Sequence, residues 1–173
     1  MPDFIKPFIR NIPDFPKPGI QFKDITPLLS DQHAFRRTID LLESRYCLQT
    51  LDRIVGIDAR GFIFGAALAD RLHLGFVPVR KEGKLPADTH DHCYALEYGE
   101  AVLEIHTDAL KEGDQVVVVD DLIATGGTAA ATCALVEKLG AKVVECAFVV
   151  ELEGLKGREK LGDSEVFSLV GFG

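Results

Sequence analysis

The stretch Gln115-Val116-Val117-Val118-Val119-Asp120-Asp121-Leu122-Ile123-Ala124-Thr125-Gly126-Gly127-Thr128 constrains this chain more than any other. Four successive valines cannot offer an alternating polar face. Residues 115–119 therefore predict a strand buried on both sides, as in a parallel sheet covered by helices. Thr128 to Leu139 follows with a helical pattern, and Gly140 suits the position just past its end. Strand, acidic pair, small-residue loop and helix make up one crossover unit of an α/β protein.

The remaining segments agree. Ser30 or Asp31 can cap a helix in which Phe35, Ile39, Leu42 and Tyr46 recur at helical spacing. Arg53 to Asp58 reads as a short strand, Gly61 to Leu72 as an alanine-rich helix and Gly75 to Arg80 as a second strand. Lys81 to Cys93 has no apolar period and reads as a long loop, a type that often serves as a lid. Tyr94 to Tyr98 and Ala101 to Ile105 flank Gly99-Glu100 as a hairpin. Lys142 to Val150 is a further buried strand, Leu155 to Leu161 a short helix and Glu165 to Leu169 an edge strand. Residues 1–29 hold six of the eight prolines and predict an extended arm with short turns. The expected architecture is a single α/β domain over 1–173, with a central, mostly parallel sheet flanked by helices.

A net charge of −8 argues against broad nucleic-acid binding. No apolar run approaches the ~20 residues a membrane helix needs, and the first residues lack a signal-peptide pattern. Cys47, Cys93, Cys133 and Cys146 form no C-x-x-C pair, so neither zinc nor a redox motif is signalled. A reducing, cytoplasmic setting is the simplest expectation.

The chemistry lies after the valine strand. Open α/β sheets bind ligands beyond the carboxyl ends of their strands, where Asp120 and Asp121 stand. Two adjacent carboxylates repel each other until sugar hydroxyls or a divalent cation compensate them. In Ala124, Thr125, Gly126, Gly127 and Thr128, small side chains let successive N–H groups close on one anion, with help from the helix N-terminus. Hydroxyl-binding carboxylates followed by a phosphate nest specify a ribose 5-phosphate. A plain tight turn with the aspartates as helix caps is the simpler alternative. A Walker A loop and a dinucleotide fingerprint are both absent from the string. Arg60, with small neighbours Ala59 and Gly61 just past a strand end, suits a pyrophosphate. Arg80, Lys81 and Lys84 add local positive charge.

The Asp120–Thr128 string resembles the phosphoribosyl pyrophosphate (PRPP) signature of the type I phosphoribosyltransferases. Phe15-Pro16-Lys17-Pro18-Gly19-Ile20-Gln21-Phe22-Lys23-Asp24-Ile25, Asp58-Ala59-Arg60-Gly61-Phe62 and Arg80-Lys81-Glu82-Gly83-Lys84-Leu85-Pro86 narrow the resemblance to the adenine-specific branch. So do Leu96-Glu97-Tyr98-Gly99 and Leu155-Lys156-Gly157-Arg158-Glu159. The resemblance implies the conversion of adenine and PRPP to AMP and pyrophosphate with Mg²⁺ held mainly through PRPP and by no dedicated protein ligands. It implies a homodimer, an N-terminal hood for the base (1–29) and a flexible loop or hairpin over the site (81–98).

It further implies roles. Glu97 is the acid/base near adenine N7, with Tyr98 helping to close the lid. Arg60, Arg80, Lys81 and Lys84 meet pyrophosphate, Lys84 foremost and Arg80 least. Gln21, Phe22 and Lys23 receive the base, Phe22 by stacking and its neighbours by backbone groups. An arginine is common in the family at Lys23, which limits the implication there to the backbone. Asp88-Thr89-His90-Asp91-His92-Cys93 departs from the family pattern. Its spacing matches no tetrahedral metal motif, and it reads as a solvated lid. Two alternatives remain: transfer to guanine, hypoxanthine or xanthine, and a non-catalytic regulator of the same fold. The set Asp120, Asp121, Arg60, Lys84 and Glu97 argues against the second.

Overall fold

The computed structural model describes residues 4–95 and 99–173. In chain order it contains β1 (Arg10–Pro13), β2 (Gln21–Asp24), α1 (Thr26–Ser30), α2 (Gln32–Tyr46), β3 (Arg53–Ile57), α3 (Gly61–Leu72) and β4 (Gly75–Lys81). There follow β5 (Thr89–Ala95), β6 (Glu100–His106), β7 (Gln115–Ile123), α4 (Gly127–Lys138), β8 (Lys142–Leu152) and β9 (Val166–Phe172). Strands β1 and β2 pair antiparallel as a separate ribbon, and the other seven form one sheet in the order β5-β6-β4-β3-β7-β8-β9. Pairs β4–β3, β3–β7, β7–β8 and β8–β9 are parallel, while β5 and β6 join antiparallel at one edge.

The valine strand shows why helices must cover both faces. Val117 and Val119 pack into a core with Ile39, Leu42, Phe64 and Leu68 of α2 and α3. Val116 and Val118 pack into the opposite core with Ala131, Leu135 and Val136 of α4. All four valines are buried, each worth about 1.5–3 kcal/mol of apolar transfer. Asp31 caps α2: its Oδ1 accepts from the backbone N–H of His33 at 3.0 Å and of Ala34 at 2.8 Å. At the far end of α2, Glu145 of β8 accepts from Arg45 Nε at 2.6 Å and from the Tyr46 hydroxyl at 2.5 Å, tying the helix to the sheet.

Several expectations change. Thr26–Ser30 of the proline-rich arm is helical, because Pro27 sits in the first turn, where its missing N–H has no partner to lose. The loop expected over 81–93 ends at Pro86–Asp88, and strand β5 starts at Thr89. Its pairing with β6 runs from Thr89↔His106 to Ala95↔Glu100 and overrides the weak β propensity of the His-Asp-His segment. The solvated-lid reading of residues 89–93 is thus corrected to a paired strand. The short helix expected over 155–161 is two 3-10 turns, Glu153–Leu155 and Gly157–Leu161, divided by Lys156 in the left-handed region.

Candidate active site

Connectivity fixes where the site lies. From β3 the chain crosses through α3 to β4, and from β7 it crosses through α4 to β8 on the other side. The direction of winding reverses between β3 and β7, and α/β sheets open a crevice at such a point. Pairing of β3 with β7 ends at Gly56↔Val119, but β7 runs on beside β8 to Ile123↔Glu151. Asp120 and Asp121 are therefore not past a strand end, as expected, but inside β7. One edge of this stretch has lost its β3 neighbour and faces the crevice.

A cavity of about 520 Å³ opens there. It is lined by Asp58, Ala59 and Arg60 from the end of β3, Lys81 from β4, Tyr94 from β5, and Asp120, Asp121, Leu122 and Thr128. A second hollow of about 100 Å³ lies over Ala124, Thr125, Gly126 and Gly127 and shares Asp120, Leu122 and Thr128 with the first. The sequence-derived sugar and phosphate residues thus come together as one continuous surface.

The loop suits an anion because α4 starts without a side-chain cap. Its N-cap is Gly126, at φ 79° and ψ −4°. The first amide groups of a helix lack internal partners and carry partial positive charge, so an uncapped start can receive a phosphate. The aspartates do not serve as caps. Gly126 is held from behind: a Cβ there would collide with the Gly157 carbonyl oxygen. A Cβ on Gly157 would in turn meet the Ala124 carbonyl and lie 2.8 Å from Ile123 Cγ1. Two glycines from distant segments thus set the height of the loop.

The charges are arranged in pairs. Arg60 Nε lies 2.6 Å from Asp121 Oδ2, a buried oxygen with no other hydrogen-bond partner among the described residues. Burial and the adjacent Asp121 carboxylate push the Asp120 carboxyl well above the ordinary range. Asp120 Oδ1 accepts the Asp121 backbone N–H at 2.8 Å. Arg80 Nε and Lys84 Nζ both approach Asp58 Oδ2, at 3.1 and 3.8 Å. The basic turn after β4 is therefore folded onto the end of β3 and is not loose in solvent. Arg80, the weakest of the expected cations, is as firmly placed as Lys84.

Arg60 also joins the site to the N-terminal ribbon. Its guanidinium carbon lies 5.6 Å from the centre of the Phe22 ring, which packs edge-on against Phe15 at 5.1 Å. Strand alternation separates the three expected base residues. Gln21 Oε1 accepts from Asn11 Nδ2 at 2.8 Å, and Lys23 Nζ donates to Asn11 Oδ1 at 3.2 Å and lies 4.3 Å from the Phe172 ring centre. Only the Phe22 ring turns towards Arg60. Glu97 and Tyr98 lie outside the described residues.

Asp58, Tyr94, Leu122 and Gly157 belong to this site and were not among the expected residues. Asp58 had a signal, as an acid directly before Ala59-Arg60 at a strand end. Leu122 and Gly157 lay inside stretches that carried the resemblance but with no role assigned, and Tyr94 had no signal of its own, because its place depends on pairing across the fold. Among the described residues no group of three or more His, Cys, Asp or Glu is arranged to hold a metal, and no helix is long and apolar enough to cross a membrane.

A family profile described as the phosphoribosyl transferase domain matches residues 28–172. Adenine phosphoribosyltransferase from Syntrophotalea carbinolica is 60% identical over 164 residues, 95% of this chain and 96% of that protein. The crystal structure of adenine phosphoribosyltransferase from Thermoanaerobacter pseudethanolicus superposes with a TM-score of 0.95 at 54% identity, covering 98% of this chain and 99% of that one. The Saccharomyces cerevisiae enzyme, solved with an imino-altritol bisphosphate and adenine, gives 0.92 at 44% identity over 97% of each chain. With the small-residue loop, the aspartate pair and the cations gathered at one switch point, and with this similarity over nearly its whole length, the chain belongs to the adenine phosphoribosyltransferases of the phosphoribosyltransferase family.

Proposed function

We propose that this chain salvages adenine, transferring the phosphoribosyl group of PRPP to adenine N9 to give AMP and pyrophosphate. The observation that carries this is the continuous surface at the β3/β7 switch point, where an uncapped helix start, two aspartates and Arg60 and Lys81 line one crevice. The relatives and the yeast enzyme, solved with adenine, support the choice of base.

In this reading the loop from Ala124 to Thr128 receives the 5′-phosphate, and Asp120 and Asp121 accept hydrogen bonds from the ribose hydroxyls. The C1–O bond to pyrophosphate breaks as the N9–C1 bond forms, and negative charge moves onto the leaving group. Arg60, Arg80, Lys81 and Lys84 are the donors for that charge in this reading. Arg60 must exchange Asp121 for a substrate oxygen when PRPP arrives. That exchange frees the Asp121 oxygen for a ribose hydroxyl. Phe22 stacks on the purine, and Glu97 exchanges a proton with adenine as N9 loses its own. A Mg²⁺ ion would be held mainly through the oxygens of PRPP and not by a cluster of protein carboxylates. It would neutralise diphosphate charge. The N-terminal arm acts as the hood for the base. A homodimer and a reducing cytoplasm complete the reading, in keeping with the family and with four cysteines that form no disulfide.

The test is purified protein with PRPP, Mg²⁺ and adenine, guanine, hypoxanthine or xanthine in turn. AMP formation from adenine alone is expected. Turnover of another base without adenine would reject the assignment.

A further inference from the structure

The edge hairpin β5–β6 is joined to the main sheet through the middle of β6 by two pairs, Arg80↔Glu104 and Lys81↔Leu103. Those two β4 residues carry the cations read above as pyrophosphate donors. Two residues nearer the turn than His92, the β5 partner of Leu103, Tyr94 reaches the Ala124–Thr128 loop. Its hydroxyl lies 3.2 Å from Thr128 Oγ1. Its ring covers the loop backbone, since a Cβ on Gly127 would lie 3.4 Å from Tyr94 Cδ2. Tyr94 is half-buried, lines the larger cavity and packs on the α4-side core. The hairpin therefore touches both the cation-bearing end of β4 and the Ala124–Thr128 loop.

We propose that Tyr94 is a positioning residue for the 5′-phosphate, acting through Thr128. This rests on reading the Ala124–Thr128 loop as the phosphate site. Either hydroxyl of this pair can donate; in the proposed arrangement the Tyr94 O–H donates to Thr128 Oγ1, which leaves the threonine hydroxyl proton to turn towards a phosphate oxygen. Two hydroxyls in series polarise one another, so the second donor is stronger and already oriented. Without Tyr94 the Thr128 hydroxyl rotates freely and must be ordered at each binding event. The selectivity of the effect follows from the geometry. It touches ligands that carry the 5′-phosphate and spares the free base.

The experiment uses the full-length enzyme with Tyr94→Phe, which keeps the ring on Gly127, and with Thr128→Val. Tyr94→Phe should raise KM for PRPP and Kd for ribose 5-phosphate about three- to tenfold, the worth of one hydrogen bond. KM for adenine and kcat should change less than about twofold. The double variant should bind ribose 5-phosphate no more weakly than Thr128→Val alone, because Tyr94 then has nothing to orient. Unchanged ribose 5-phosphate binding in Tyr94→Phe, an equal rise in KM for adenine, or additive losses in the double variant would each overturn the proposal. Ribose 5-phosphate binding needs no base, so a wild-type enzyme inactive on adenine would reject the function proposed above and still leave Tyr94 testable.

Discussion

Replacing Gly157 by alanine probes whether the C-terminal turn sets the height of the phosphate loop. Gly157 lies outside the motif, and its φ is not in the left-handed region, so alanine brings no backbone strain of its own. The added Cβ would collide with the Ala124 carbonyl and come within 2.8 Å of Ile123 Cγ1 and 3.1 Å of Gly126 N. Carbon contacts settle near 3.5–4.0 Å, so the loop or the turn must move by about 1 Å. Overpacking of that size costs about 1–3 kcal/mol, or a Tm loss of about 2–4 °C per kcal/mol in a domain of this length. A displacement of about 1 Å also takes an amide–phosphate hydrogen bond from about 2.9 Å to beyond its useful range. Loss of one such bond, worth about 1.5–3 kcal/mol, raises KM for PRPP about 10- to 150-fold. The assay is initial-rate kinetics in PRPP at saturating adenine, with ribose 5-phosphate binding by calorimetry. Gly162→Ala is the control: its φ is +58° and nothing lies within 4 Å of the added Cβ, so it should lower Tm and leave KM for PRPP alone. If Gly157→Ala and Gly162→Ala lose stability equally and neither weakens PRPP, the loop does not depend on the turn behind it.

Glu97→Gln should lower kcat about 10²- to 10⁴-fold with little change in ribose 5-phosphate binding, and near wild-type turnover would move the acid/base role elsewhere. Asp120→Asn should stabilise the unliganded protein while impairing activity, since burial and Asp121 raise the Asp120 pKa in the fold. The penalty grows as pH rises from the ordinary carboxylate value through the folded one. Thermal melts should therefore show a gain in Tm near neutral pH that shrinks as pH falls towards the ordinary carboxylate range. A gain independent of pH would contradict this. Glu145→Gln should cost about 2 kcal/mol in denaturant titrations at neutral pH. Burial raises the Glu145 pKa, but hydrogen bonds from Arg45 and Tyr46 outweigh it and hold the carboxyl below its ordinary value. Its stabilisation is present above the ordinary value and lost as pH falls through the folded one, so the variant and the wild type should converge in acid.

The sequence by itself determined the local structure of the Asp120–Thr128 segment and the chemistry proposed for it. Four valines demand cover on both faces, and an acidic pair followed by a glycine-rich helix start has few uses, so both can be read within one short window. The helices of residues 32–46 and 61–72 were legible for the same reason, since their apolar period is complete inside each segment. The tertiary structure decided what depends on partners far away in the chain. Strand β5 exists because β6 pairs with a segment of poor β propensity. The two aspartates face a crevice because β3 ends beside Val119 while β8 continues. Asp58 gathers Arg80 and Lys84, Gly157 supports Gly126, and Tyr94 meets Thr128, each across at least 22 residues of chain. Hydrophobic period and turn chemistry are local properties of a sequence. The sharing of one carboxylate, one loop height or one hydroxyl between distant segments is settled only when the sheet order brings them together.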